Sequence, residues 1–259
     1  MKTTILTNEI FPGDISVDSY PWLSLLEIVN WKIDQLDIVN ESISSSLYYS
    51  IILDLAGIIE GFTNQTLDTV LDLRTSVSYT IEELADLKDS DFWEDSKNEE
   101  DDFNLRLIKD VREKLYSSTW TGYNNIFKLI FGKSILEKIK PETWKGINSL
   151  FTLRNMIIHG KVLTINYNQI AESDEYSITV DNKYQGVYSY LTEKKIVEVG
   201  PTGYVELISK MSIDHYYRNM NSYIKEIVVG IENIKERNEI VEICSMNKDL
   251  VDILNSDIL

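Results

Sequence analysis

Residues 46–62 read SLYYSIILDLAGIIEGF, and this run decides the architecture. A helix that is apolar around most of its circumference belongs in the interior of a fold, not on its surface. The run therefore predicts a central helix over Ile43–Phe62, with the rest of the chain packed around it. Glu60 lies near its end in apolar company. A carboxylate buried there needs a cationic partner, and Arg154 is one candidate.

Working outward, apolar residues from Trp22 to Val39 recur at helical spacing, with Pro21 as a first helical residue after Tyr20. Residues 1–20 read as an irregular lead-in. A third helix is predicted over Leu67–Leu87, then an acidic loop near Asp89–Asp102. Helical spacing returns over Phe103–Tyr116 and Tyr123–Phe131, and Pro141-Glu142 opens a helix that runs to His159. Beyond Lys161, the runs VLTINYNQI, YSITVD and GVYSYLTEKKIVEV are rich in β-branched and aromatic residues, with DNKYQG as a turn between two of them. These predict a β-hairpin or three-stranded sheet. Residues 204–243 return to helix, as one long helix or two in tandem, followed by a polar tail. The expected fold is mainly α. A helical core covers 1–161, a small β insertion 162–200, and C-terminal helices 201–259 pack back on the core.

Composition sets bounds on this reading. Few prolines and glycines, four and 11 in 259 residues, favour helix. The amino terminus has no basic segment followed by a long apolar run, so no secretory signal is expected. No stretch of about eighteen consecutive uncharged apolar residues predicts a membrane span. One cysteine, Cys244, cannot form an internal disulfide, which fits a cytoplasmic setting. The net charge of −17 argues against broad polyanion binding. The charge is uneven, however: residues 82–102 carry eleven acids against two lysines, and residues 103–161 carry eleven Lys or Arg against four acids. A basic segment within an acidic protein can form a local phosphate site. Equally, its lysines can be the solvated faces of helices.

That basic segment ends in LFTLRNMIIHGK, residues 150–161. On the helix from Pro141, the residues Ile147, Leu150, Phe151, Arg154 and Ile158 share one stripe. Asn148, Thr152, Asn155 and His159 form an adjacent polar stripe. Arg154 lies about 100° of helix turn from Asn155. His159-Gly160 also satisfies an ordinary helix end, with His in the last turn and Gly in the left-handed cap. Spacing alone leaves both readings open. His215 is expected to pack against neighbouring tyrosines. Tyr216, Tyr217 and Tyr223, like Trp22, Trp31 and Trp144, read as packing residues. Two histidines and one cysteine without paired ligand spacing predict no metal site, and no glycine-rich phosphate loop is present.

The string Leu153-Arg154-Asn155, three residues, then His159-Gly160, at the end of a helix, resembles the signature of the HEPN superfamily (higher eukaryotes and prokaryotes nucleotide-binding). The match covers about eight residues, and the helical run 43–160 is compatible with that family's four- or five-helix bundle. The resemblance implies an endoribonuclease that works across a homodimer, without metal or other cofactor. Arg154, Asn155 and His159 would be catalytic; Asn148, Thr152 and Lys161 would contact the RNA substrate. It further implies a toxin or phage-defence effector, held in check by an inhibitory partner protein. The alternative is a non-catalytic HEPN-like module that binds nucleotide or protein.

Overall fold

The computed structural model describes residues 19–86, 99–169, 176–181, 183–199 and 204–255. Pro21 opens α1 (Pro21–Gln35), which buries Trp22, Leu26 and Val29. The central run lies in α2 (Glu41–Asp86), a helix of 46 residues. Two helices were expected here, separated near residues 63–66, where TNQT interrupts the apolar pattern. The Thr63 hydroxyl shows how a polar residue is accommodated here without a break. Thr63 donates back to the Ile59 carbonyl at 2.7 Å and also meets the Tyr223 hydroxyl at 2.7 Å. Threonine satisfied in this way sits in a helix without opening it. Gly57 and Gly61 let α1 approach closely: a methyl on Gly61 would lie 2.7 Å from Trp22 Cβ.

Helix α3 (Glu99–Ser117) begins inside the acidic run, so residues 99–102 are helical, not loop. The remainder of the expected loop, 89–98, lies outside the described residues. Next come α4 (Trp120–Phe131), the four-residue α5 (Ile135–Lys138) and α6 (Pro141–Ile158). As expected, α6 starts on proline and ends at a glycine in the left-handed region, Gly160 at φ 55°.

The region after α6 is less extended than its composition suggests. Strands β1 (Ile165–Gln169) and β2 (Tyr176–Val180) form an antiparallel hairpin that pairs Ile165 with Val180 and Gln169 with Tyr176. The expected third strand is instead a helix, α7 (Gln185–Glu193), because Val187, Tyr190 and Leu191 fall at helical spacing and are all buried. DNKYQG does turn, through Tyr184 N–H to Asp181 O at 2.7 Å, but it leads into this helix. Two-residue strands β3 (Glu198–Val199) and β4 (Val205–Glu206) pair beyond it.

The C-terminal part comprises α8 (Lys210–Gly230), α9 (Ile234–Ser245) and α10 (Lys248–Asn255). Helix α10 occupies the expected polar tail and buries Leu250 completely. Helix α8 packs on α2 and α6, and α9 on α2. Buried apolar residues form one cluster from Trp22 to Leu250. Tyr216 and Tyr223 lie fully inside it, whereas Trp31, expected in the core, is 59% exposed. By length and mean hydropathy, Ile43–Arg74 of α2 could cross a membrane. Here it packs against α1, α3, α4, α6, α8 and α9, and its Asp54 pairs with Lys32 at 2.5 Å.

Candidate active site

The polar stripe predicted for α6 divides into two parts. Toward the middle of the helix, the Asn148 oxygen accepts from Trp120 Nε1 at 3.2 Å, and Thr152 donates to the Asn148 carbonyl at 2.9 Å. Asn148 thus helps to fix the Trp120 ring, which stacks on Phe151 with centroids 4.5 Å apart. Its amide N–H groups make no hydrogen bond among the described residues.

At the end of α6, Arg154 is held at both ends of its fork. One guanidinium nitrogen donates to Asn155 Oδ1 at 3.0 Å, and the other lies 3.5 Å from Glu60. The expected partnership of Glu60 with Arg154 is present, and Glu60 has a second task. Thr119, the residue that precedes α4, gives its helix no side-chain cap. The Glu60 carboxylate instead accepts from the backbone of Trp120 at the first position of α4. Burial pushes the Glu60 carboxyl above its ordinary range, against the opposing pull of Arg154 and the Trp120 N–H. The guanidinium therefore bridges the interior of α2 and the exposed polar stripe.

His159 stands at the C-cap of α6, with its backbone N–H on the Asn155 carbonyl at 3.2 Å. Its imidazole is exposed and makes no hydrogen bond among the described residues. It follows Asn155 by one helical turn on the same face. Among the described residues no hydrogen bond links it to Arg154, and Asn155 is the residue that contacts the guanidinium. Ile158 and Val162, near His159 in sequence, are exposed apolar residues at 51% and 80%. Lys161 lies beside Lys183, whose neighbouring ammonium pushes Lys161 below its ordinary pKa. Lys183 sits in the turn before α7 and carried no sequence signal, because its stretch read as a hairpin turn.

A second group was only partly legible. His215 does pack against tyrosines: its Nε2 meets the Tyr190 hydroxyl at 2.7 Å, and its ring lies against Tyr190 and Tyr216. Asn219 donates to the His215 carbonyl at 2.9 Å and also to the phenol oxygen of Tyr190. Gly146 makes room for this group, since a methyl there would lie 2.4 Å from Asn219 Oδ1 and 2.8 Å from the Tyr190 oxygen. Burial above all, with Arg218 and Lys194 adding to it, lowers the His215 pKa to about 4, while burial raises Tyr190 to about 12.

A stability effect follows from that imidazole. With a folded pKa below the unfolded value, the unfolded chain binds more protons between about pH 4 and 6.5. Stability present above pH 6.5 is lost as pH falls through this window. Allowing for solvent screening at a half-buried site, the loss is on the order of 1–2 kcal/mol. Urea titrations of wild type and His215→Gln at a series of pH values measure it, and the variant's curve should be flatter by that amount.

Among the described residues, no three His, Cys, Asp or Glu side chains converge as metal ligands. Cys244 is fully buried, and burial raises its thiol to about 12, which is unsuited to a nucleophile. Comparison of the chain with protein families, with curated proteins and with solved structures finds no match.

Proposed function

We propose that this protein is an endoribonuclease that cleaves RNA without a metal ion, using Arg154, Asn155 and His159 at the end of α6. The observation that carries the reading is the guanidinium placed between Glu60 and Asn155, with Asn155 one helical turn before the solvent-open imidazole of His159. In this reaction the 2′-oxygen loses its proton to a general base and attacks phosphorus. The P–O5′ bond breaks, and a general acid protonates the departing 5′-oxygen. An imidazole serves either role near neutral pH. The negative charge gathered on the phosphoryl oxygens requires a fixed cation, and a planar fork of donors meets two oxygens at once.

Each chain brings one such histidine, so base and acid together call for two copies. Two-fold pairing of α6 ends would supply them, with the exposed Ile158 and Val162 as apolar surface around the seam. The HEPN resemblance points the same way, to a homodimer with a toxin or phage-defence role and a restraining partner.

The rival reading is a nucleotide- or protein-binding module. It draws on the same clamp, because Arg154 also serves to tie α6 to the capped start of α4. Incubating the purified chain with total RNA in excess EDTA separates the two. Cleavage with 2′,3′-cyclic phosphate and 5′-hydroxyl ends is expected, with DNA left intact. RNA that survives intact points to the binding module.

A further inference from the structure

Between α6 and α7 lies a cleft of about 480 Å³, within the size range of small-ligand pockets. The middle of the α6 polar stripe, Asn148 and Thr152, forms one side. Lys183 and Gly186 stand at its α7 rim, and the half-buried Trp144 and the buried Tyr190 complete the wall. This lining is chemically mixed in a particular way. It offers a flat aromatic ring, an amide whose N–H groups are unpaired among the described residues, a hydroxyl that can still accept, and a cation at the mouth.

We propose that this cleft seats one nucleotide unit of the RNA strand, its base against Trp144 and its phosphate on Lys183 and Lys161. The proposal rests on the ribonuclease reading and extends it: the strand would run along the α6 stripe from this cleft to His159.

Three observations support the assignment. First, Asn148 and Thr152 lie on the same face of α6 as Asn155 and His159, so the cleft and the candidate catalytic group share one continuous polar track. Second, Lys161 and Lys183 stand side by side with no carboxylate in ion-pair contact among the described residues. Two adjacent ammonium groups repel, and a bound phosphate relieves that repulsion. Third, the floor is built and rigid. Tyr190 is held by His215 and Asn219, and Ser149 is bonded to the Tyr216 hydroxyl at 2.7 Å. Gly186, by contrast, leaves the rim open, with nothing near the position a Cβ would take. The one acid in the lining is Glu193.

The test uses the full chain carrying His159→Ala and a short fluorescein-labelled all-deoxy oligonucleotide, which the 2′-OH route cannot cut. Fluorescence anisotropy measures its affinity. Adding Lys183→Glu, or Gly186→Phe to fill the cleft, should weaken binding by about tenfold or more. With Lys183→Glu, the salt dependence should also become shallower by about one phosphate contact. Unchanged melting temperatures show that both variants fold. Affinity equal to the parent's in either variant overturns the proposal. So does 5′-AMP binding more tightly than the oligonucleotide, which would make the cleft a site for free nucleotide. The two readings fail separately. Cleavage that persists in His159→Ala sinks the catalytic assignment, whatever the cleft does. Loss of cleavage in His159→Ala, with unchanged binding in the cleft variants, sinks the cleft alone.

Discussion

In the His159→Ala protein, RNA cleavage is expected to fall by about 10²–10⁴-fold, the usual contribution of a positioned general acid or base. The imidazole is exposed and makes no side-chain hydrogen bond among the described residues. Its removal should therefore leave melting temperature and oligomeric state unchanged. That separation makes the variant informative, because a loss of activity cannot be assigned to a loss of fold. In the proposed mechanism His159 would act on a proton and Arg154 on charge, so their losses should also look different. Removing His159 should flatten the pH profile of whatever activity remains, whereas Arg154→Ala should lower activity at every pH. Gel assays on a defined RNA across pH measure both. Activity in His159→Ala equal to that of the wild type would remove the histidine from the mechanism.

The largest stability effect is expected at Phe62. Phe62→Ala should cost about 3–5 kcal/mol, the range seen when a large buried aromatic side chain is truncated. Phe62 is 1% exposed, and its ring meets Trp22 edge-on at 5.5 Å and Tyr223 edge-on at 6.2 Å. Three elements, α1, α2 and α8, therefore lose a shared contact at once. The hydroxyl of Tyr223 is anchored on Thr63, so the ring cannot swing across to fill the space. Native domains hold only about 5–15 kcal/mol in total, and a loss of this size should lower the urea midpoint severely. A loss below about 1 kcal/mol would mean that the helices close over the gap, contrary to the packing described above.

The sequence carried the helical framework well where periodicity and punctuation agreed. Pro21 and Pro141 start helices, Gly160 ends one, and the apolar run 46–62 lies at the centre. It failed where composition spoke for one structure and spacing for another. GVYSYLTE is rich in residues that favour strands, yet Val187, Tyr190 and Leu191 repeat at helical spacing, and burial against α6 decided the outcome. TNQT interrupts the apolar pattern, yet the Thr63 hydroxyl folds back on the helix and the helix runs on. At the candidate site, the Glu60–Arg154 partnership could be inferred, since a carboxylate in an apolar run demands a cation. The neighbours of Lys183 and the Asn219–Tyr190–His215 chain could not be, because they depend on how α7 and α8 meet α6. No local pattern encodes such a meeting.

The double hold on Arg154 bears on how readily a substrate could use it. A free arginine side chain loses about 2 kcal/mol of rotamer freedom when it is fixed, and ordinarily that loss falls on the encounter with ligand. Here the folded chain already sets the guanidinium beside two partners, a carboxylate on one helix and an amide on its own. An incoming anion would meet a group already set in place, and its arrival would be an exchange of partners for a waiting cation.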